Sequence, residues 1–249
     1  MIKALFARLK QGYRTMPFPG KDIVLPERFL GKPSIASNIS EKDRETCKAV
    51  CPTDAFDAHD GRLMLDMGKC LFCGECQRAC VNKTIIFTRD YQLSVMKRQD
   101  LLVSDMNHRE EEIKRRIKNI FGRSLKLRQV SAGGCNACEA DINVLSTLSF
   151  DLGRFGVQFV ASPRHADGIV VTGPVTKNMR LALEKTYAAV PAPKIVIAVG
   201  ACAISGGPFK DHREVYNGVD SILPVDLYIP GCPPHPLTIL DGILKITGR

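Results

Sequence analysis

Apolar positions change their spacing along this chain, and each change predicts a different kind of structure. At the start, Ile2, Leu5, Phe6 and Leu9 fall on one helical face of residues 1–12. This spacing predicts a short amphipathic helix that docks on a neighbour rather than entering a membrane. Residues 15–37 then hold Pro17, Pro19, Pro26 and Pro33. Each proline biases the residue before it toward extended backbone, so the stretch is expected to drape over another part of the protein. Helical spacing returns over residues 105–121, where Glu110 faces Lys114 and Glu111 faces Arg115 at i,i+4. Gly122 is placed to end that helix, and its charged run reads as a solvated face.

From residue 127 the pattern becomes one of short, nearly continuous apolar runs: 125–130, 157–161, 168–173, 194–199 and 225–229. Helical stretches such as 176–189 separate several of them. Apolar strands alternating with helices indicate a parallel sheet covered on both faces, hence a doubly wound α/β domain. Ligands of such sheets lie beyond the carboxyl ends of the strands. Cysteines occur there: Cys135 and Cys138 after the first run, Cys202 after the fourth and Cys232 after the fifth. Four segments are expected: an extended arm (1–33), a cysteine-rich domain (34–92), a helical linker (93–126) and the α/β domain (127–249).

Composition narrows the functional classes. Hydrophobic residues make up 45% and charged residues 24% of 249, ordinary for a globular chain. The longest apolar stretch, 195–204, is far short of the roughly 20 residues that a membrane span needs. No continuous apolar core near the start marks a secretory signal. The net charge of +9 is uneven: residues 1–126 carry 24 Lys/Arg against 16 Asp/Glu, and residues 127–249 carry 11 against 10. A basic first half suits an acidic partner or an anionic surface. With aromatics at 6% and no stacking pattern, a nucleic-acid partner is not expected. The ten cysteines are tightly spaced, which favours metal over disulfides.

Cys70-x2-Cys73-x2-Cys76-x3-Cys80 is preceded by Cys47-x3-Cys51-Pro52. In two-cluster chains the fourth cysteine of one run ligates the other run's cluster. Cys51 should therefore join Cys70, Cys73 and Cys76 around one 4Fe–4S cluster. In the same frame the upstream run would carry cysteines at 41, 44 and 47, but the sequence has Glu41, Arg44 and Cys47. Two of four ligands are missing, and the second cluster of that frame is expected to be absent. Cys47 and Cys80 should then lie close together, as free thiols or as a disulfide; a reducing compartment favours thiols. Arg44 is a candidate to fill the vacated space. Residues 34–92 resemble the bacterial ferredoxin family, specifically in the second run and in degraded form in the first.

Five further blocks carry a second resemblance. They are Gly133-Gly134-Cys135-Asn136-Ala137-Cys138-Glu139, residues 162–167, Thr172-Gly173-Pro174, Gly200-Ala201-Cys202-Ala203 with Gly206-Gly207, and residues 229–234. Together they resemble the small subunit shared by membrane-bound NiFe hydrogenases and the quinone-proximal subunit of respiratory complex I. The Cys135-x2-Cys138 pair is closer to the complex-I-like, energy-converting hydrogenases, formate hydrogenlyases included. The resemblance implies a flavodoxin-like sheet and a second 4Fe–4S cluster held by Cys135, Cys138, Cys202 and Cys232. It also implies a Ni–Fe site on a separate large subunit.

By the same resemblance Glu139 lies near the catalytic interface and helps move protons; alternatively its carboxylate holds an arginine. Arg164 and His165 are candidates for tuning the cluster or for a structural loop role, and Asp226 reads as structural. The lead-in around Pro17, Pro19 and Pro26 resembles that of the ferredoxin-type subunit of such complexes, so the chain reads as two links of one electron chain joined together.

The expected function is an oxidoreductase subunit relaying electrons through two 4Fe–4S clusters to or from a partner's Ni–Fe site. The alternative is the equivalent subunit of a related reductase without Ni–Fe, acting on quinone or another acceptor. Expected partners are a NiFe-type large subunit, a further iron–sulfur or electron-donor subunit and membrane subunits. The expected location is peripheral, on the cytoplasmic side of the membrane.

Overall fold

A computed structural model describes residues 2–12, 14–20, 23–59, 62–80, 82, 84–105 and 124–248. Helix α1 (Ile2–Gln11) forms where the apolar spacing predicts it and buries none of its own residues. Its stripe of Ile2, Leu5, Phe6 and Leu9 is 67–74% exposed. The proline-rich arm that follows is extended, as expected, and lies against the second half of the chain. Met16 N donates to Ser149 O (2.7 Å), Arg154 donates back to Met16 O (2.7 Å), and Phe18 is buried edge-on to Phe155.

A small α+β part comes next. It comprises β1 (Pro33–Ile35), α2 (Glu41–Ala49), β2 (Phe56–His59), β3 (Arg62–Asp66), α3 (Glu75–Ala79), β4 (Ile85–Phe87) and β5 (Leu102–Val103). β1 pairs antiparallel with β4, and β3 lies antiparallel between β2 and β5. Ser40 starts α2: its Oγ accepts from Asp43 N at 3.1 Å, satisfying one of the amides that a helix start leaves open. Of the expected linker, residues 93–105 are described and include β5. The helix expected over 105–121 falls almost wholly in residues 106–123, outside the described residues.

The larger part holds β6 (Leu125–Ser131), α4 (Ala137–Val144), β7 (Val157–Phe159), β8 (Gly168–Thr172), α5 (Lys177–Ala189), β9 (Ile195–Val199), α6 (Ala201–Ser205), β10 (Leu227–Ile229) and α7 (Pro236–Thr247). Its five strands are all parallel, in the order β10-β9-β8-β6-β7. This is the flavodoxin-like doubly wound arrangement expected from the sequence, with its switch point between β6 and β8. Every residue of β8 and β9 is buried, which explains their unbroken apolar runs: helices cover both faces.

The two parts pack as one body. A single apolar cluster runs from Leu65, Ile85 and Leu101 into Val171, Ala203 and Tyr228. Val95 and Tyr228 exchange backbone hydrogen bonds at 3.0 and 2.8 Å. Ser205 Oγ donates to Gly68 O at 2.9 Å. Asp66 receives both Arg98 guanidinium nitrogens, at 2.9 and 2.6 Å, beside the same loop. These contacts fix the loop carrying Cys70 and Cys73 against the carboxyl edge of the parallel sheet.

Candidate functional site

Cys51 follows α2, Cys70 and Cys73 sit on the loop after β3, and Cys76 lies in α3. All four line one small cavity of about 10 Å³, walled by Val50, Phe56, Leu65 and Phe87. The loop closes around it through left-handed backbone at Phe72 (φ 51°) and Gly74 (φ 75°). That curl aims amides inward. Phe72 N donates to Cys70 Sγ at 3.3 Å, and Ala55 N donates to Cys51 Sγ at 3.2 Å. Burial, with the charges of Cys73, Cys51 and Cys80, pushes the Cys76 thiol up to about 11. Burial likewise raises Cys70, with Cys76, Cys51 and Cys73 adding to it against the Phe72 amide. Four thiolates crowded into an apolar pocket repel one another, and a positively charged iron core is the kind of occupant that relieves this. The inward amides suit sulfur ligands and tune a cluster's potential. The residues present therefore fit a 4Fe–4S cluster.

At the four frame positions where the degraded run would place a second cluster, the side chains pair with one another, although Arg44 Nε is buried without a partner. Arg44 Nη1 pairs with Glu41 Oε2 at 3.2 Å, and its Nη2 donates to Ile39 O at 3.2 Å. Cys47 Sγ lies 2.6 Å from Cys80 Sγ.

The second set gathers past the sheet's carboxyl edge. Cys135 leaves β6, Cys138 lies in α4, Cys202 in α6, and Cys232 follows β10. Burial pushes Cys202 up to about 12, aided by the charges of Cys232, Cys135 and Glu139. Burial also raises Cys138, with Cys202, Glu139, Cys232 and Cys135 adding to it. Gly200 (φ 90°) makes the gathering geometrically feasible, because a Cβ there would fall 2.5 Å from Cys138 Sγ. The same donor chemistry again fits a 4Fe–4S cluster. Cys232 is raised first by burial, then by Cys135, then by Cys73 of the other set. The charge of Cys73 is thus felt at Cys232. Among the described residues no group of three or more His, Cys, Asp or Glu side chains is already drawn together around a single point.

Glu139 is buried in α4, and its Oε1 accepts from Ser131 Oγ and Thr172 Oγ1, both at 2.6 Å. Its partners are thus hydroxyls, where the sequence suggested an arginine. Burial works to raise its carboxyl, but the two hydroxyls and its own amide outweigh this and hold it below the usual range. Sequence reasoning did not connect Ser131 and Thr172 with Glu139; the available signal was a hydroxyl residue closing each of the two strands. Arg164 and His165 are exposed in the turn Pro163–His165 that follows β7. Asp226 is structural as expected: its Oδ2 accepts from Val196 N at 2.8 Å, tying β9 to the approach to β10.

A doubly wound sheet with four cysteines collected beyond its carboxyl edge, and a second cysteine cage packed beside them, defines a subunit of a redox assembly rather than a free-standing catalyst. Residues 135–246 match the family described as NADH ubiquinone oxidoreductase, 20 Kd subunit, and the chain belongs to that family. A probable membrane-bound hydrogenase subunit of Pyrococcus furiosus is 41% identical over 141 residues, 55% of this chain and 84% of that one. Formate hydrogenlyase subunit 7 of Escherichia coli is 48% identical over 128 residues, 51% of this chain and 49% of that one. An NADH-quinone oxidoreductase subunit of Heliobacterium modesticaldum is 43% identical over 119 residues, 47% of this chain and 68% of that one. Each match covers about half of this chain, and the chain spans about half of formate hydrogenlyase subunit 7. The chain is an electron-transfer subunit of an oxidoreductase of the complex-I-like and hydrogenase kind. No described helix is long and apolar enough to cross a membrane.

Proposed function

We propose that the chain relays electrons through two 4Fe–4S clusters, one held by Cys51, Cys70, Cys73 and Cys76, the other by Cys135, Cys138, Cys202 and Cys232. One observation supports this reading: a group of four cysteines lines a cavity of the small part, and four more follow the strands at the carboxyl edge of the parallel sheet, within a single packed body. When bound, each cluster supplies a one-electron carrier whose potential responds to hydrogen bonds and burial. The chain's own residues set those conditions. Phe72 N and Ala55 N donate to ligand sulfurs, Val50, Phe56, Leu65 and Phe87 exclude water, and Gly200 leaves room for Cys138. Glu139 holds β6 to β8 behind Cys135 and Cys138.

In this reading electrons enter at the small part, cross from the Cys73 side to the Cys232 side, and pass to or from a Ni–Fe site on a partner large subunit. The hydrogenase relatives support that partner. A further iron–sulfur or donor subunit feeds the small part, and membrane subunits hold the assembly peripherally on the cytoplasmic side. The second reading keeps the relay but replaces the Ni–Fe partner with a reductase acting on quinone or another acceptor; the NADH-quinone oxidoreductase relative favours it.

Iron, acid-labile sulfide, nickel and zinc per copy of this chain in the intact complex test both readings. About eight iron and eight sulfide per copy are expected from this chain, with further iron added by each iron–sulfur or Ni–Fe partner. Zinc in place of iron overturns the relay. Nickel retained with the complex selects the hydrogenase reading, and an iron-loaded complex without nickel selects the reductase.

A further inference from the structure

We propose that Cys47 and Cys80 form a reversible disulfide, a cross-link site standing where the degraded ferredoxin frame has lost a cluster. Both are free cysteines whose sulfurs lie in contact, 2.6 Å apart, against the roughly 2.0 Å of a covalent bond. The residues are 0% and 2% exposed and 33 positions apart in the chain. The other two positions of the lost site, Glu41 and Arg44, are ion-paired and offer the sulfurs no charge to coordinate. A disulfide is apolar, so it suits a pocket in which a thiolate would be desolvated.

The reaction is thiol–disulfide exchange with a low-molecular-weight disulfide. Two S–H bonds break and one Cys47–Cys80 S–S bond forms; the reagent's S–S bond takes the electron pair and the two protons and leaves as two thiols. Sulfurs already held in contact lose little freedom on bonding. Burial slows the exchange, so the thiol state must be read after long equilibration.

The cross-link has a local consequence. Cys47 precedes Cys51 by four residues on α2, and Cys80 follows Cys76 by four residues beyond α3. A bond between them fixes the two backbone segments that deliver Cys51 and Cys76 to the cavity. This second part rests on the proposed cluster reading; the cross-link itself does not.

The test uses the full chain, purified anaerobically and equilibrated in glutathione buffers of graded thiol-to-disulfide ratio. Free thiols are then alkylated under denaturing conditions and the peptides mapped without reduction. A linked Cys47–Cys80 peptide should replace the two alkylated ones as the disulfide fraction rises. Alkylation of both residues at every ratio would overturn the proposal. Iron release to a chelator gives the second readout. Release should be at least twofold slower from oxidised than from reduced wild-type chain, and equal in both buffers for Cys47→Ser with Cys80→Ser. Should that double substitution fail to fold, Cys47→Ala with Cys80→Ala replaces it. Equal release from both forms of the wild type would overturn the clamp. A chain without iron would sink the relay reading while leaving the peptide map decisive for the cross-link.

Discussion

Ser131 and Thr172 lie directly opposite each other at the ends of β6 and β8, and both hydroxyls point to one oxygen of Glu139. That oxygen therefore bolts the sheet together at its switch point, immediately behind the pair Cys135 and Cys138. Glu139→Ala would leave two buried hydroxyls without an acceptor and cost about 2–4 kcal/mol in denaturant titration. Glu139→Gln keeps an acceptor for both, so electron transfer should survive it. Abolition of turnover in a stably folded Glu139→Gln variant would assign the carboxylate to proton transfer instead.

The same carboxylate gives a signed pH dependence. Its folded pKa lies below the ordinary 4.5, so the charged form is favoured by folding. Its stabilisation is complete above about pH 4.5 and is lost as pH falls through the lower folded value. The stability gap between wild type and Glu139→Gln should be constant from about pH 8 to about pH 5 and close below it. A gap that widens on acidification would contradict the clamp.

Gly200→Ala should displace Cys138, because the added Cβ would sit 2.5 Å from its sulfur and the backbone has φ 90°. Iron should fall from about eight to about four per chain, with the cavity around Cys51 and Cys70 still loaded. Loss of both iron sets, or of neither, would show that the two cages are not independently built.

Cys73→Ser should act on both sets. It removes a ligand from the first, and it removes the charge that reaches Cys232 in the second. The expected result is a degraded first cluster together with a raised midpoint potential of the second, read by paramagnetic resonance during redox titration. Cys51→Ser, whose charge is not among those that raise Cys232, should leave the second potential unchanged.

Removal of residues 2–12 should shift the melting temperature by no more than about 2 °C, since α1 buries none of its own residues and such surface changes stay within about 0.5 kcal/mol. The variant should nevertheless be recovered with less of its partner complex, because the stripe of Ile2, Leu5, Phe6 and Leu9 is uncovered in this chain alone. Undiminished recovery of the complex would remove any docking role from α1.

Much of the α/β part was readable in the chain because its signals are local. Burial on both faces is written directly into runs such as Ile195–Val199, whose every position is covered, and the cysteines follow those runs at the strand ends. The degraded frame at Glu41, Arg44, Cys47 and Cys80 was equally plain, since ligand spacing is a matter of counting. What stayed hidden depends on partners distant in sequence. Nothing near Glu139 announces that its partners lie 8 and 33 residues away, and nothing near Tyr228 announces its pairing with Val95. The strand order, with β6 between β7 and β8, likewise follows from tertiary packing rather than from any single segment.

The bridge between Val95 and Tyr228 has a kinetic meaning for the proposed relay. Carriers on separate proteins must meet before an electron moves, and such meetings slow with dilution and with added salt. Here the two parts that carry the cages share an apolar cluster, so the separation of the cages is fixed by folding rather than by collision. Transfer between them should be first order, indifferent to protein concentration and to ionic strength, leaving the entry and exit surfaces as the only places where the surroundings can set the pace.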